Sequence, residues 1–272
     1  MKKAVIVMAA VILTAAFLFS GVQLWRYFSA EQQAEEQFDS LTAIIHVPPA
    51  EPQTPEPNVS EPPIWTVHDQ YGTLFEQNTD MIGWIAIDGT TINYPVMHTP
   101  DRPDFYLKRG FEKAASDYGV PYAAGACTID PQSDNIIIYG HHMTSGKMFG
   151  ALEDYKNETF YREHTIIQFD TLMGFGEYEI FAVFKVNPAD FPYHEFVNAA
   201  DELDFADYVR QCKELSFYET GVTAEYGDKL ITLSTCEYTR QGNRLVVVAK
   251  MIGGEPSGEN QDQEYSQRHQ TP

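Results

Sequence analysis

Hydrophobic patterning divides the chain into four stretches. Residues 4–24 hold no charged side chain, and at ~1.5 Å rise per residue such a run crosses a ~30 Å hydrocarbon core as one helix. Residues 30–63 are polar and then proline-rich, with Pro48, Pro49, Pro52, Pro55, Pro57, Pro62 and Pro63 interleaved with Glu51, Glu56 and Glu61. That composition favours extended chain over packed structure. From 64 to 252 the pattern changes to short β-rich runs punctuated by Gly, Pro, Asn and Asp. Residues 253–272 are polar without a period and read as a loose tail. The expected organisation is therefore an anchor over 1–29, a spacer over 30–63, one folded domain over 64–252 and the tail.

Within the folded stretch, strands are expected at 83–87, 91–96, 135–139, 165–169, 178–186, 229–235 and 245–251. So many short strands predict a closed or nearly closed β-barrel of about eight strands. Two segments depart from the two-residue period. Residues 67–78 predict a helix ahead of the first strand, and 199–215 predict one before the penultimate strand. In the latter, Leu203, Ala206, Tyr208 or Val209, and Cys212 recur near helical spacing. No internal repeat is visible.

The flanks of the apolar run give it a direction. Lys2 and Lys3 precede it, which keeps the N-terminus cytoplasmic and puts the rest of the chain outside, with Arg26 a small countercharge. Trp25 and Tyr27 suit the outer interface. The run is longer than the apolar part of a signal peptide, and no small-x-small cleavage pattern follows it, so an uncleaved single-pass anchor is expected. The formal net charge of −21 over 272 residues argues against a nucleic-acid surface, which needs clustered Lys and Arg. The three cysteines, Cys127, Cys212 and Cys236, cannot all pair within one chain. At least one thiol stays free, and in an exported protein a free thiol points to use of its nucleophilicity.

The chemistry concentrates in three places. Ile231-Thr232-Leu233-Ser234-Thr235-Cys236 alternates apolar and polar, so a strand sets Thr232, Ser234 and Cys236 on one face. Arg244 opens the next apolar run, and a hairpin centred near Arg240 sets Cys236 and Arg244 opposite one another with Cβ atoms ~5 Å apart. A guanidinium there favours a thiolate and donates to an oxyanion forming on an attacked carbonyl. Upstream, an apolar strand ends in Tyr139-Gly140-His141-His142, offering a histidine as general acid and base. Chemistry alone leaves either histidine open. Cys212 falls on the apolar side of a helix and Cys127 near a turn, the usual places of inert buried thiols. His98, His164 and His194 show no partner pattern, and Phe191, Tyr193 and Phe196 read as barrel packing or a pocket wall.

Together these pieces resemble the sortase family. The resemblance rests on Thr232-Leu233-Ser234-Thr235-Cys236, which fits the TLxTC signature, on Arg244 and on Tyr139-Gly140-His141. It covers essentially all of 65–252. Residues 78–85, Tyr94-Pro95-Val96, Gly140-His141-His142-Met143 and the helix before the cysteine strand are similar to class B. The resemblance implies a cysteine transpeptidase with Cys236 as nucleophile, Arg244 as oxyanion stabiliser and His141 as acid and base. It implies cleavage after the threonine of a C-terminal sorting motif, and transfer to an amine of a lipid-linked peptidoglycan precursor or, in a pilus, to a lysine. Tyr139, Ser234 and Glu237 are the implied substrate-groove residues, and no metal or organic cofactor is implied. Two other classes fit less well. A papain-like peptidoglycan hydrolase places its cysteine on a helix before the histidine in sequence, and a non-catalytic anchored adhesin leaves the triplet unused.

Overall fold

The computed structural model describes residues 2–45, 66–236 and 242–253. It opens with a single helix, α1 (Lys2–Ile44). Among the described residues this is the one helix long and apolar enough to cross a membrane. Its apolar half is bare, with Phe17 and Trp25 well exposed. The spacer expected from residue 30 is not extended over 30–44, where the same helix continues. The reason is local: Glu31, Gln32, Gln33, Ala34, Glu35 and Glu36 are helix formers, and the first proline comes only at Pro48. Ala34, Phe38 and Leu41 share one stripe and are buried. Phe38 meets the Tyr94 ring edge-on at 5.0 Å, and Glu35 pairs with Lys147. The proline-rich part of the spacer and the C-terminal tail beyond Gly253 lie outside the described residues.

The folded body is a closed barrel of β1 (Met81–Ala86), β2 (Asn93–Met97), β3 (Tyr122–Ala123), β4 (Asn135–His141), β5 (Ile166–Thr171), β6 (Glu177–Val186), β7 (Leu230–Cys236) and β8 (Arg244–Gly253). They neighbour in the order β1-β2-β3-β4-β7-β8-β6-β5. The pairs β2–β3 and β4–β7 are parallel. Strand alternation builds two cores. Ile136 and Ile138 of β4, Ile231 and Leu233 of β7, and Val247 and Ala249 of β8 point into the barrel. Outside it, Phe181, Phe184, Val246 and Val248 form a second cluster.

Helix α2 (Val67–Gln77) begins at a capping box in which Thr66 and Asp69 satisfy each other's backbone N–H groups. It lays Tyr71 on the Trp84 ring of β1 and donates the Tyr71 hydroxyl to Asp170 of β5 at 2.6 Å. The short helix α3 (Glu158–Glu163) and the two-residue β3 were not expected from sequence, being too short to show a period. Helix α4 (Glu202–Leu215) covers the second cluster. Its buried stripe is Phe205, Tyr208, Val209 and Cys212, whereas Leu203 and Ala206, assigned to that stripe from sequence, are exposed, Leu203 by 79%. The shift follows from Asp201, which caps the helix through the Leu203 and Asp204 N–H groups and leaves Leu203 in the first turn.

Two stability consequences follow. Phe38→Ala should cost about 3 kcal/mol, read as a lower urea midpoint with unchanged secondary structure. Burial raises the Asp170 carboxyl above its ordinary value of 3.8. A group that binds its proton more tightly when folded contributes stability that is complete below its unfolded pKa and drains away as pH rises through the folded one. Asp170→Asn removes the titration, its one carbonyl oxygen keeping the Gly176 N–H while its amide faces the Tyr71 hydroxyl. The stability of the variant relative to the parent should therefore rise between pH 4 and pH 7, in urea unfolding at each pH.

Candidate active site

The parallel pairing of β4 with β7 is in register along its length, from Asn135 opposite Leu230 to His141 opposite Cys236. On the other side of β7, β8 pairs antiparallel, with Thr232 opposite Val248 and Ser234 opposite Val246. The same register carried two residues further sets Cys236 opposite Arg244, the hairpin expected from sequence. His141, Cys236 and Arg244 thus occupy one row across three adjacent strands, each ~4.8 Å from the next in the pairing direction. Val186 of β6 extends the row behind Arg244. His142 lies off it and bridges instead to Met148, so of the two histidines His141 is the one paired with Cys236.

Gly140 lies within β4, which continues through His141. A Cβ on Gly140 would stand 2.5 Å from the Phe149 ring. Glycine is needed because that ring packs flat against the strand just before the histidine.

His141 is half-buried, and its Nε2 lies 2.5 Å from the carbonyl oxygen of Leu107. Burial pushes its pKa below 6.5, the Leu107 bond opposes that shift, and the charges of Lys108 and Asp117 pull in opposite directions. The Arg244 guanidinium donates through Nη1 to the Thr235 carbonyl at 3.1 Å, which holds it at the Cys236 end of β7. Thr235 in turn accepts the Leu245 N–H on Oγ1 at 3.1 Å, tying the start of β8 to the end of β7.

A groove of about 320 Å³ runs beside this row. Its lining is made by Tyr139 and Arg244 of the barrel, by Asp104, Leu107 and Tyr122, and by Pro188, Tyr193 and His194. Tyr122 donates to Asp104 at 2.7 Å and packs against Tyr139 with ring centroids 5.6 Å apart. A larger cavity of about 620 Å³ lies beside α4, but it is lined by residues such as Val209, Lys213 and Thr220 and is distant from the row. Chemistry, not size, selects the smaller groove.

Of the sequence-expected groove residues, Tyr139 lines the groove. Ser234 is fully buried, its hydroxyl 2.7 Å from the Tyr193 hydroxyl, so it meets the groove through Tyr193. Glu237 lies outside the described residues. Phe191 and Phe196 do pack, both against Tyr208, while Tyr193 packs and also faces the groove. His194, read as a bystander, is a wall residue, as are Asp104 and Leu107. Nothing in the spacing of the 99–120 segment marks these last two, because their place depends on how a long loop folds back. Cys127 and Cys212 are both buried, and burial raises both thiols. Among the described residues no group of three or more His, Cys, Asp or Glu is arranged to hold a metal ion.

Comparison with known proteins agrees with this geometry. The sortase domain model matches residues 85–252. The chain is 35% identical to sortase B of Staphylococcus aureus over 68% of its length and 76% of that relative, and 32% identical to sortase B of Listeria monocytogenes over 68% and 75%. Among solved structures, a Staphylococcus aureus sortase B–substrate complex superposes with a TM-score of 0.65 at 33% identity, covering 68% of this chain and 86% of that one. Sortase B from B. anthracis, in complex with a compound named AAEK1, superposes at 0.70 and 28% identity, covering 83% and 99%. The eight-stranded closed barrel, the row at the ends of β4, β7 and β8, and these likenesses agree: the chain belongs to the sortase family, as a class B-like cysteine transpeptidase.

Proposed function

We propose that this transpeptidase cleaves a C-terminal sorting motif after its threonine and transfers the protein to an amine of a lipid-linked peptidoglycan precursor. The observation that carries the reading is the placing of His141, Cys236 and Arg244 on neighbouring strands, with Arg244 lining a groove of about 320 Å³. The Cys236 thiolate adds to the threonine carbonyl, and the charge that develops on oxygen is met by the Arg244 guanidinium. Collapse expels the following residue as an amine, which takes its proton from His141. A thioester remains on Cys236. The acceptor amine then adds to it, returns a proton to His141 and expels the thiolate. Tyr139 contacts the motif, and Ser234 acts through Tyr193. Glu237 is assigned to motif binding on the family resemblance alone.

The bare apolar half of α1 anchors the chain in the cell membrane with the N-terminus cytoplasmic and the barrel outside. This assignment rests on the Lys2 and Lys3 flank and on the exposed Phe17, Phe19 and Trp25. The folded domain then works at the surface where lipid-linked acceptors reside.

A fluorogenic peptide panel spanning NPxTx-type and LPxTG-type motifs tests the reaction. The expected cleavage falls between Thr and the next residue and vanishes in Cys236→Ala. It drops by roughly 10²- to 10⁴-fold in His141→Ala and by roughly 10²- to 10³-fold in Arg244→Ala. Cleavage that survives Cys236→Ala would overturn the mechanism. Supplying an amine should divert product from hydrolysis to ligation, read by mass spectrometry.

A further inference from the structure

His141 is useful as an acid only if the nitrogen that meets the reacting groups carries the proton at the right moment, and imidazole has two nitrogens. The structure contains a device that chooses between them. Nε2 of His141 lies 2.5 Å from the Leu107 carbonyl oxygen. A carbonyl oxygen can only accept, so the ring donates its Nε2–H there in both the neutral and the charged form. The exchangeable proton is thereby left to Nδ1.

The carbonyl itself is held from several directions. Leu107 belongs to a 3₁₀ turn, Phe105–Lys108, in which its N–H bonds the Asp104 carbonyl at 3.0 Å. Its neighbour Tyr106 is fully buried. The Tyr106 hydroxyl donates to Asp80 at 2.8 Å and accepts from the Asn78 side chain at 2.9 Å. Asp80 is also paired with Lys113 at 2.9 Å, and the Asn78 side chain bonds the Phe111 carbonyl. Gly119, at φ +62, packs so closely that a Cβ there would stand 2.7 Å from the Leu107 oxygen. Above the turn, the Arg102 and Arg109 guanidinium groups lie 4.1 and 4.7 Å from the Phe105 ring centroid. This hub ties the irregular loop to the end of α2 through Asn78 and to the start of β1 through Asp80. It also places one carbonyl beside one histidine.

We infer that the Leu107 carbonyl is the positioning group of His141: it takes the Nε2 proton, makes Nδ1 the nitrogen that exchanges protons with substrate, and is kept in place by Tyr106 bonded to Asp80 and Asn78. A backbone carbonyl thus does here what an asparagine or aspartate does for histidine in other acyl-transfer sites. The inference rests on the reading of His141 as the acid, and the two are separable by experiment.

The test uses the full chain in detergent micelles, labelled with ¹⁵N-histidine, with the His141 signals assigned by their loss in His141→Gln. Above its titration, His141 should show a protonated, pyrrole-like Nε2 and an unprotonated, pyridine-like Nδ1. The opposite pattern, or an even mixture of the two, would overturn the inference whatever the peptide assay gives. Tyr106→Phe keeps the ring and removes the hydroxyl bonds. It should mix the two tautomers of His141 and lower kcat by roughly 10- to 100-fold with KM unchanged. It should also move the pH dependence of kcat, while Lys108 and Asp117, the charges nearest His141, stay as they are. If the tautomer stays pure in a folded Tyr106→Phe protein, Tyr106 does not hold the carbonyl and that part fails. Full activity in His141→Gln would remove the acid assignment while leaving the measured tautomer intact.

Discussion

The in-register parallel pairing of β4 with β7 is the constraint on which the site depends. Side chains alternate along a strand, so a slip of one residue would turn His141 or Cys236 to the other face and dismantle the row. The register is held at its far end by polar bonds that only one alignment satisfies. The Leu230 N–H reaches the Asp134 carbonyl at 2.7 Å, and the Lys229 ammonium pairs with the Asp134 carboxylate at 2.9 Å. Thr232, fully buried, donates to the Asn135 side chain at 2.9 Å, while the Asn135 amide donates to the Phe196 carbonyl at 2.9 Å. An amide buried this deeply is costly unless its partners are all present, so the network penalises wrong registers more than it rewards the right one.

The second alignment, β7 with β8, decides which strand start lies beside the end of β7 and is legible from sequence. Counting from Cys236 to Arg244 fixes the centre of a hairpin, and the observed pairs of Thr232 with Val248 and Ser234 with Val246 share that centre. Antiparallel neighbours joined by a short connection can be read from spacing alone. The partnership of His141 with Cys236 cannot, because β4 and β7 are separated by β5, β6 and α4 in the chain and their alignment is a tertiary fact. Motif resemblance supplied it in advance of any geometry.

What sequence reading missed follows the same division. Apart from the two-residue β3, the barrel strands and α2 carry strong two-residue or helical periods, and their observed extents match the expected ones within a few residues. The continuation of α1 over 30–44 is hard to see because its composition is polar, with Ala34, Phe38 and Leu41 buried and Ala30 and Ile44 partly so. Polarity alone does not mean lack of structure: a narrow apolar stripe suffices once a barrel offers Tyr94 as a partner. Asp104, Leu107 and His194 were missed for a different reason. They act through backbone position or as walls, and a lining residue has no characteristic spacing.

Ser234 shows how the two kinds of information combine. The strand pattern puts it on the reactive face, two residues before Cys236, where a hydroxyl exposed to substrate is the natural expectation. In the structure α4 and the 191–197 segment cover that face as far as Tyr193, and the hydroxyl is engaged by the tyrosine instead. The face predicted from alternation is therefore correct and the exposure is not, because a neighbouring segment decides where the covered part ends and the groove begins. The boundary falls between Ser234 and the row of His141 and Arg244, both of which remain half-buried. The end of β7 thus meets the edge of a close-packed layer, with the groove that Arg244 lines beyond it.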